Sequence, residues 1–271
     1  HVPLQLQVHT DFLSPYFKKA SVKNFIRYIA SKITIPKASC IRVVSKRIRD
    51  SIIANFKLQI ANCVVLPIFV DAEKIKKAEP KLFPKKFDFT ILWVGRLEKE
   101  KNPMLALKAF YEFQKHVPSA GIVIIGDGSK RKALELQVIS YPSTISGSRA
   151  GSRDKLQDKV TFLGWQNDVA GYYKSADVLL VTSLYEGYGL QMVEARTAGI
   201  PVISTDVGVA REVGAYITDH TASGIARMLS RLHDGSLSKQ PEYEYPYRNK
   251  ERYLELYKKS FEVCLREDRK T

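Results

Sequence analysis

ADVLLVTSLYEGYGLQMVEA, residues 176–195, decides the fold. Its first half is a short apolar run bounded by polar residues, the length and composition of a strand buried on both faces. Its second half opens a helix at Leu190. Gly187 and Gly189 lie between the two and let the backbone approach a ligand, while the N–H groups that open the helix form an anion site. Glu186 stands in the loop and Glu194 about one turn into the helix. Two carboxylates repel a phosphate, so beside one they suit sugar and ribose hydroxyls; a capping Glu and a solvent-facing Glu would leave the same pattern.

Outward from this stretch the alternation continues. Pro201–Ser204 is a further strand, and upstream Phe89–Val94, Gly121–Ile125 and Lys159–Leu163 are strands separated by helices over Pro103–Lys115, Lys130–Val138 and Asp168–Ser175. Asn102 and Pro103 open the first of these helices as cap and first position. Ser140–Arg153, rich in Ser, Gly and Arg, reads as a surface loop. Short apolar strands alternating with helices predict a parallel sheet covered on both faces. The N-terminal third shows a smaller series: strands at Leu4–Val8, Ser39–Ser45 and Cys63–Leu66, with helices over Tyr16–Ile33 and Lys46–Asn55. It has no beginning, and the first residue is His1, so about half of a doubly wound domain is expected upstream. The domain reading is 1–69 for this part, 70–87 for a Pro- and Lys-rich linker, 88–245 for the second domain, and 246–271 for a C-terminal helix. Tyr253, Tyr257, Phe261 and Leu265 of that helix recur at packing intervals.

In open α/β sheets, ligands bind at the carboxyl ends of the strands. The strand ending at Val94 runs into Gly95, Arg96 and Lys101, a guanidinium and an ammonium suited to diphosphate oxygens, or simply a solvated charged loop. The strand ending at Ile125 is followed by Gly126-Asp127-Gly128, which alone reads as a turn.

Composition excludes several classes. The 271 residues, 45% hydrophobic and 26% charged, are those of a globular protein, not of a disordered or collagen-like chain. No apolar run is long enough for a membrane span, and the first residues lack the basic start and apolar middle of a signal peptide. Cys40, Cys63 and Cys264 are widely spaced, fitting buried reduced thiols in a reducing cytoplasm better than disulfides or a zinc site. The net charge of +15 sits mainly in residues 1–88, which carry +11. Lys19, Lys23 and Arg27 recur along a predicted helix whose other face holds Val22, Ile26 and Ile29. Two arrangements satisfy that pattern: a helix resting on an anionic membrane surface, and a core helix with a solvated basic side. Nucleic-acid binding would use the charge, but no zinc, RNA-recognition or helix-turn-helix signature accompanies it.

From Phe89 to Gly214 the chain resembles the donor-binding domain of GT-B retaining glycosyltransferases of family 4, the group 1 glycosyl transferases. The pieces VGRLEKEKNP, IIGDGS, KVTFLGWQNDVAGYYKSADVLLVTS, EGYGLQMVEA and AGIPVISTDVG follow the family's order. The resemblance implies a GT-B architecture, two Rossmann-like doubly wound domains facing a cleft, the N-terminal one incomplete in this chain. It places the family's paired glutamates on Glu186, toward the donor sugar, and Glu194, on the nucleotide ribose. The Gly187, Tyr188, Gly189 and Leu190 backbone falls to the sugar and phosphate, Arg96 and Lys101 to the diphosphate, and Gly95, Gly126 and Gly128 near the nucleotide. LQLQVHTD resembles the acceptor-side strand whose His faces the donor sugar, which puts His9 in the active site. Between Gly214 and Gly224 the family pattern is compressed, and no role carries over there.

The implied activity is transfer of a hexose-type sugar from a UDP-, GDP- or ADP-sugar to a glycan or lipid-linked acceptor with retention of configuration, in the cytoplasm or at the inner face of the membrane. In the front-face route attributed to the family, the leaving phosphate oxygen helps to remove the acceptor proton. No Asp-x-Asp motif follows a strand and no His cluster has ligand spacing, so neither a metal nor another cofactor is expected. An inactive sugar-nucleotide-binding module would keep the same pocket.

Overall fold

The computed structural model describes residues 4–58, 63–141, 156–247 and 249–267. Three parallel strands, β1 (Gln5–Val8), β2 (Cys40–Val43) and β3 (Cys63–Val65), form the N-terminal sheet in that order. Gln5 lies opposite Cys40, and Ile41 opposite Cys63. The second sheet holds six parallel strands: β4 (Phe89–Val94), β5 (Ala120–Ile125), β6 (Val160–Gly164), β7 (Val178–Val181), β8 (Val202–Thr205) and β9 (Tyr216–Thr218). Their order is β6-β5-β4-β7-β8-β9. The chain winds outward from β4 in one direction through β5 and β6, then returns to β4's other edge at β7. The switch point therefore lies between β4 and β7, so the loops carrying Arg96, Lys101 and Glu186 open on one crevice. This is the doubly wound α/β organisation expected of a GT-B chain.

The sequence explains why these segments are strands. β5 and β8 are buried along their whole length, as are the first five residues of β4, and such runs need helices on both faces. One face is covered by α5 (Pro103–Gln114), which buries Ala106, Leu107, Phe110 and Phe113, and by α10 (Ala222–His233), capped by the Thr221 hydroxyl. The other face joins the N-terminal sheet. There Leu92, Val123 and Leu179 share one core with Val8, Ile41, Val43 and with Met192 of α9 (Leu190–Thr197).

Several elements differ from expectation. The helix predicted over Tyr16–Ile33 is two helices, α1 (Pro15–Ala20) and α2 (Val22–Thr34), broken where Ser21 is extended and its hydroxyl caps α2 through the Asn24 N–H. The segment between the sheets carries α4 (Ala72–Lys77), capped by Asp71, which buries Ile75; beyond it the Lys81 N–H bonds to the Gly171 carbonyl. β9 and α10 lie just where the family pattern is compressed, and no role or element was carried over. The predicted loop at 140–153 falls largely outside the described residues. The cysteine reading is overturned: Cys40 and Cys264 are joined in a disulfide between β2 and the C-terminal helix α11 (Lys250–Glu267), and only Cys63 remains a thiol. Wide sequence spacing says nothing about distance in a fold where the last helix returns to the first sheet.

Candidate functional site

Lys101 stands at the floor of the crevice because two loops are latched together. Thr182, just past β7, donates its hydroxyl toward the carbonyls of Lys101 and Asn102 and receives the Trp93 indole N–H at 3.2 Å. The Leu184 N–H bonds to the Glu100 carbonyl at 2.8 Å. Asn102 turns the chain with a left-handed φ of 50° before Pro103 starts α5, a conformation that Asn tolerates better than most residues. The Lys101 ammonium thereby meets the Glu186 carboxylate at 2.5 Å.

Glu186 is the hub. One of its carboxylate oxygens, Oε1, also accepts from the Ser183 hydroxyl at 2.8 Å and the Gln191 amide at 3.1 Å. Beside it Gly189, at φ 90°, enters α9, whose opening N–H groups have no intrahelical carbonyl to meet. Gly187 is needed for a different reason: a Cβ there would strike the carbonyl of His9, so the N-terminal sheet touches the second sheet's loop through this glycine. Ser45 fixes the contact by donating its hydroxyl to the Gly187 carbonyl at 3.0 Å.

A cavity of about 400 Å³ opens here, lined by His9, Arg96, Lys101, Glu186 and the backbone from Gly187 to Gln191. Asn24 and Arg27 of α2 line it too; sequence reasoning did not single out Asn24, and read Arg27 only as part of the helix's basic side. A second cavity of about 290 Å³ shares Arg96, Lys101, Leu190 and Gln191 and continues past Gly95 and Gly126 to Glu194 and Trp165. The two together give a bent slot: one arm at Glu186 and His9, the other at Glu194, with two cations and a helix N-terminus at the bend. The crevice gathers the expected residues with three qualifications. Arg96 is paired with Glu100 at 2.8 Å and largely exposed. The ring of Tyr188 is buried, so its backbone serves the slot more than its side chain does. Gly128 lines neither arm; a Cβ on it would press on the Leu97 carbonyl, and it shapes the loop that Glu98 ties to Ser129.

The electrostatics differ between the arms. Burial, aided by the Arg42 guanidinium, pushes the His9 imidazole below its ordinary value, so the ring is neutral at pH 7. Burial raises the Glu194 carboxyl, opposed by the hydrogen bond it accepts from the Tyr173 hydroxyl at 2.8 Å. Trp165, 68% exposed, presents a large ring at the Glu194 arm. Its signal in the sequence was only an aromatic after Gly164 in LGWQND, which fits a surface loop equally well.

A larger cavity of about 640 Å³ lies on the other side of Tyr185, which borders both it and the Glu186 arm. Arg47 at the start of α3 (Lys46–Phe56) reaches across it to Asp206 beyond β8, and Asp206 also takes Arg211 at 2.9 Å. This space carries carboxylates, guanidiniums and the Tyr16–His220 ring pair, groups that suit sugar hydroxyls.

Comparison with known proteins identifies the family. The family model described as glycosyl transferases group 1 matches residues 88–234. The Escherichia coli UDP-Gal:alpha-D-GlcNAc-diphosphoundecaprenol alpha-1,3-galactosyltransferase is 32% identical over 152 residues, 53% of this chain and 36% of that enzyme. The Campylobacter jejuni N-acetylgalactosamine-N,N'-diacetylbacillosaminyl-diphospho-undecaprenol 4-alpha-N-acetylgalactosaminyltransferase is 25% identical over 195 residues, covering 71% of this chain and 48% of that one. The chain thus spans less than half the length of either relative. Among solved structures, the pneumococcal O-GlcNAc transferase GtfA in complex with UDP and GlcNAc superposes with a TM-score of 0.69 at 21% identity, over 96% of this chain and 52% of its own.

Proposed function

Because the chain belongs to the glycosyl transferases of group 1, we propose that it moves a hexose-type sugar from a nucleoside diphosphate donor, UDP-hexose first among them, to a lipid-linked or glycan acceptor with retention at the anomeric carbon. The observation that carries this reading is the Lys101–Glu186 contact at the N-terminus of α9, the place where a departing diphosphate needs positive charge and a sugar needs a hydroxyl acceptor. The diphosphate lies at the bend of the slot against Lys101, the α9 amides and Arg96, once Arg96 leaves Glu100. Glu194 holds the ribose and Gly126 lies against the nucleoside, while Glu186 and neutral His9 orient the sugar. Rate enhancement then comes from fixed charge on the developing diphosphate, in the leaving-group-assisted front-face route. Lys and Arg supply that charge, so no metal or other cofactor is required. The acceptor enters from the large cavity beyond Tyr185. UDP is favoured because the E. coli relative's name carries UDP-Gal and solved neighbours hold UDP. The diphosphoundecaprenol in two relatives' names supports a lipid-linked acceptor, and so a cytoplasmic enzyme working at the inner membrane face.

The test is a thermal-shift panel of UDP-, GDP- and ADP-hexoses, followed by transfer to a diphosphate-linked lipid acceptor with the new linkage read by NMR. A ligand at 100 times its Kd stabilises by about 2.7 kcal/mol. Stabilisation by one nucleotide class, resistant to EDTA, with the donor's anomeric configuration kept in the product, is expected. No shift with any of the three nucleotide classes would sink the donor-site reading, and an inverted linkage would sink the retaining one.

A further inference from the structure

Three hydrogen bonds converge on one oxygen of Glu186, and among the described residues none reaches the other. Oε1 accepts from the Lys101 ammonium at 2.5 Å, the Ser183 hydroxyl at 2.8 Å and the Gln191 amide at 3.1 Å. A carboxylate oxygen has about two lone-pair sites, so Oε1 is saturated. Oε2 has no partner there and yet is not sealed from solvent, and its side chain lines the arm of the slot shared with His9. The surroundings are tight. Gly208, in the loop after β8, packs so closely that a Cβ on it would lie 3.0 Å from the Glu186 Cβ. Ser183 is buried, and its carbonyl accepts the Thr205 hydroxyl of β8 at 2.7 Å. Gln191 is buried in the first turn of α9. Every one of these groups lies within residues 88–234, the stretch matched by the family model.

We infer that Ser183 and Gln191 are positioning residues that set which donor sugar is accepted: by occupying Oε1 they hold Oε2 toward the slot, where it accepts from one hydroxyl of the hexose. The inference rests on the reading of Glu186 as the sugar's hydroxyl acceptor, and it adds what makes that acceptor selective. Lys101 does not suffice for the task, because its ammonium also serves the diphosphate once a donor is bound. Two neutral donors have no such second claim on them. The last torsion of a Glu side chain is broad and roughly two-fold, so a carboxylate without fixed donors offers either oxygen in several directions. Fixed through Oε1, Glu186 reads one direction only. A hexose with a hydroxyl there satisfies it, whereas one deoxygenated at that carbon leaves a desolvated carboxylate oxygen unpaired. Loss of Ser183 and Gln191 therefore relaxes the choice of sugar and spares UDP, which has no sugar to read.

Titration calorimetry on the complete protein tests this with Ser183→Ala, Gln191→Met and the two combined. The ligands are UDP, UDP-glucose, UDP-galactose and the four monodeoxy analogues, at C2, C3, C4 and C6, of whichever hexose binds more tightly. GDP or ADP takes the place of UDP if the nucleotide panel favours it. The parent is expected to bind one monodeoxy analogue about tenfold or more weakly than the full sugar. In the combined variant that gap shrinks to about threefold or less, while UDP affinity stays within about twofold of the parent. If the combined variant does not fold, Ser183→Ala, which removes a single oxygen, decides by whether the gap narrows. A parent that binds UDP but tolerates every deoxygenation overturns the inference. So does a variant that keeps the parent's gap, even with a lower melting temperature, because the two side chains then serve the fold alone. Failure of the donor site itself gives a different result: no nucleotide binds the parent, and both readings fall.

Discussion

Lys101 and Glu186 are each other's partners until a donor arrives, and that coupling sets what their removal does. The ammonium is mostly buried and its nearest carboxylate is at 2.5 Å, so Lys101→Ala strips charge from the diphosphate site and leaves Glu186 unpaired beside it. Removing one preorganised group of this kind costs about 3 kcal/mol in the transition state. Turnover in a transfer assay with the complete protein is expected to fall at least a hundredfold for Lys101→Ala. A near-normal rate would remove Lys101 from the site. Glu194 gives a prediction of opposite sign on stability. Burial raises its carboxyl above the ordinary 4.5, so the folded protein binds this proton more tightly than the unfolded chain. Its contribution to stability is then greatest below pH 4.5 and declines as pH rises through the folded value. Glu194→Gln keeps an oxygen for the Tyr173 hydroxyl and removes the buried charge. Melting curves should show the variant more stable than the parent at pH 7, with the gap closing toward pH 4, while nucleotide-sugar affinity falls. A variant less stable at pH 7 would show that the charge is compensated in the fold.

At the scale of elements, the N-terminus of α3 does two jobs with one side chain. The Ser45 hydroxyl accepts from the Ile48 N–H as a cap and donates to the Gly187 carbonyl, so a helix start in one sheet's layer is tied to the glycine loop of the other. Ser45→Ala loses both, and caps alone are worth about 1 kcal/mol. The expected result is a melting temperature lowered by more than Ser21→Ala lowers it, since Ser21 caps α2 and its hydroxyl makes no tie across the cleft among the described residues. Equal effects would mean that the Gly187 contact adds nothing. The elements themselves were largely legible. Apolar runs of four to six residues gave the strands, and the loops after β4 and β7 stood out because glycines cluster there with cations or carboxylates. Periodicity located the stripe of α2 but could not say which way it faced, because a moment has no outside. Nor did it find β9, a three-residue strand whose place is set by its neighbour β8, or the Ser21 break, which is marked by one polar residue inside a helical pattern.

Over the whole molecule, the two sheets are held by the returning helix as much as by the crevice. α11 lays Tyr253, Tyr257 and Phe261 in a row that continues from Tyr247, and its far end reaches β1, where Gln5 donates to the Ser260 carbonyl at 2.8 Å and Gln7 to the Tyr257 hydroxyl at 3.0 Å. The Cys40–Cys264 bond lies at the end of this row, joining residues 224 apart in sequence with a Cα separation of 5.2 Å. Such a pairing is invisible in a sequence, where only three cysteines at unrelated spacings appear. A reducing compartment would oppose it, but both half-cystines are buried, which limits attack by an outside thiolate. Closing so long a loop restricts the unfolded chain, with a stabilisation of about 5 kcal/mol in the chain-entropy model. Cys63 is buried too, and burial pushes its thiol up to about 11, so it reacts slowly while the protein is folded. Native protein purified without reductant should therefore give little reaction with a thiol reagent, one thiol after denaturation, and three after denaturation with reduction. Cys264→Ser should lower the melting temperature without reductant and make no difference with it. Three thiols in unreduced, denatured protein would leave α11 held by its aromatic row and its hydrogen bonds to β1 alone.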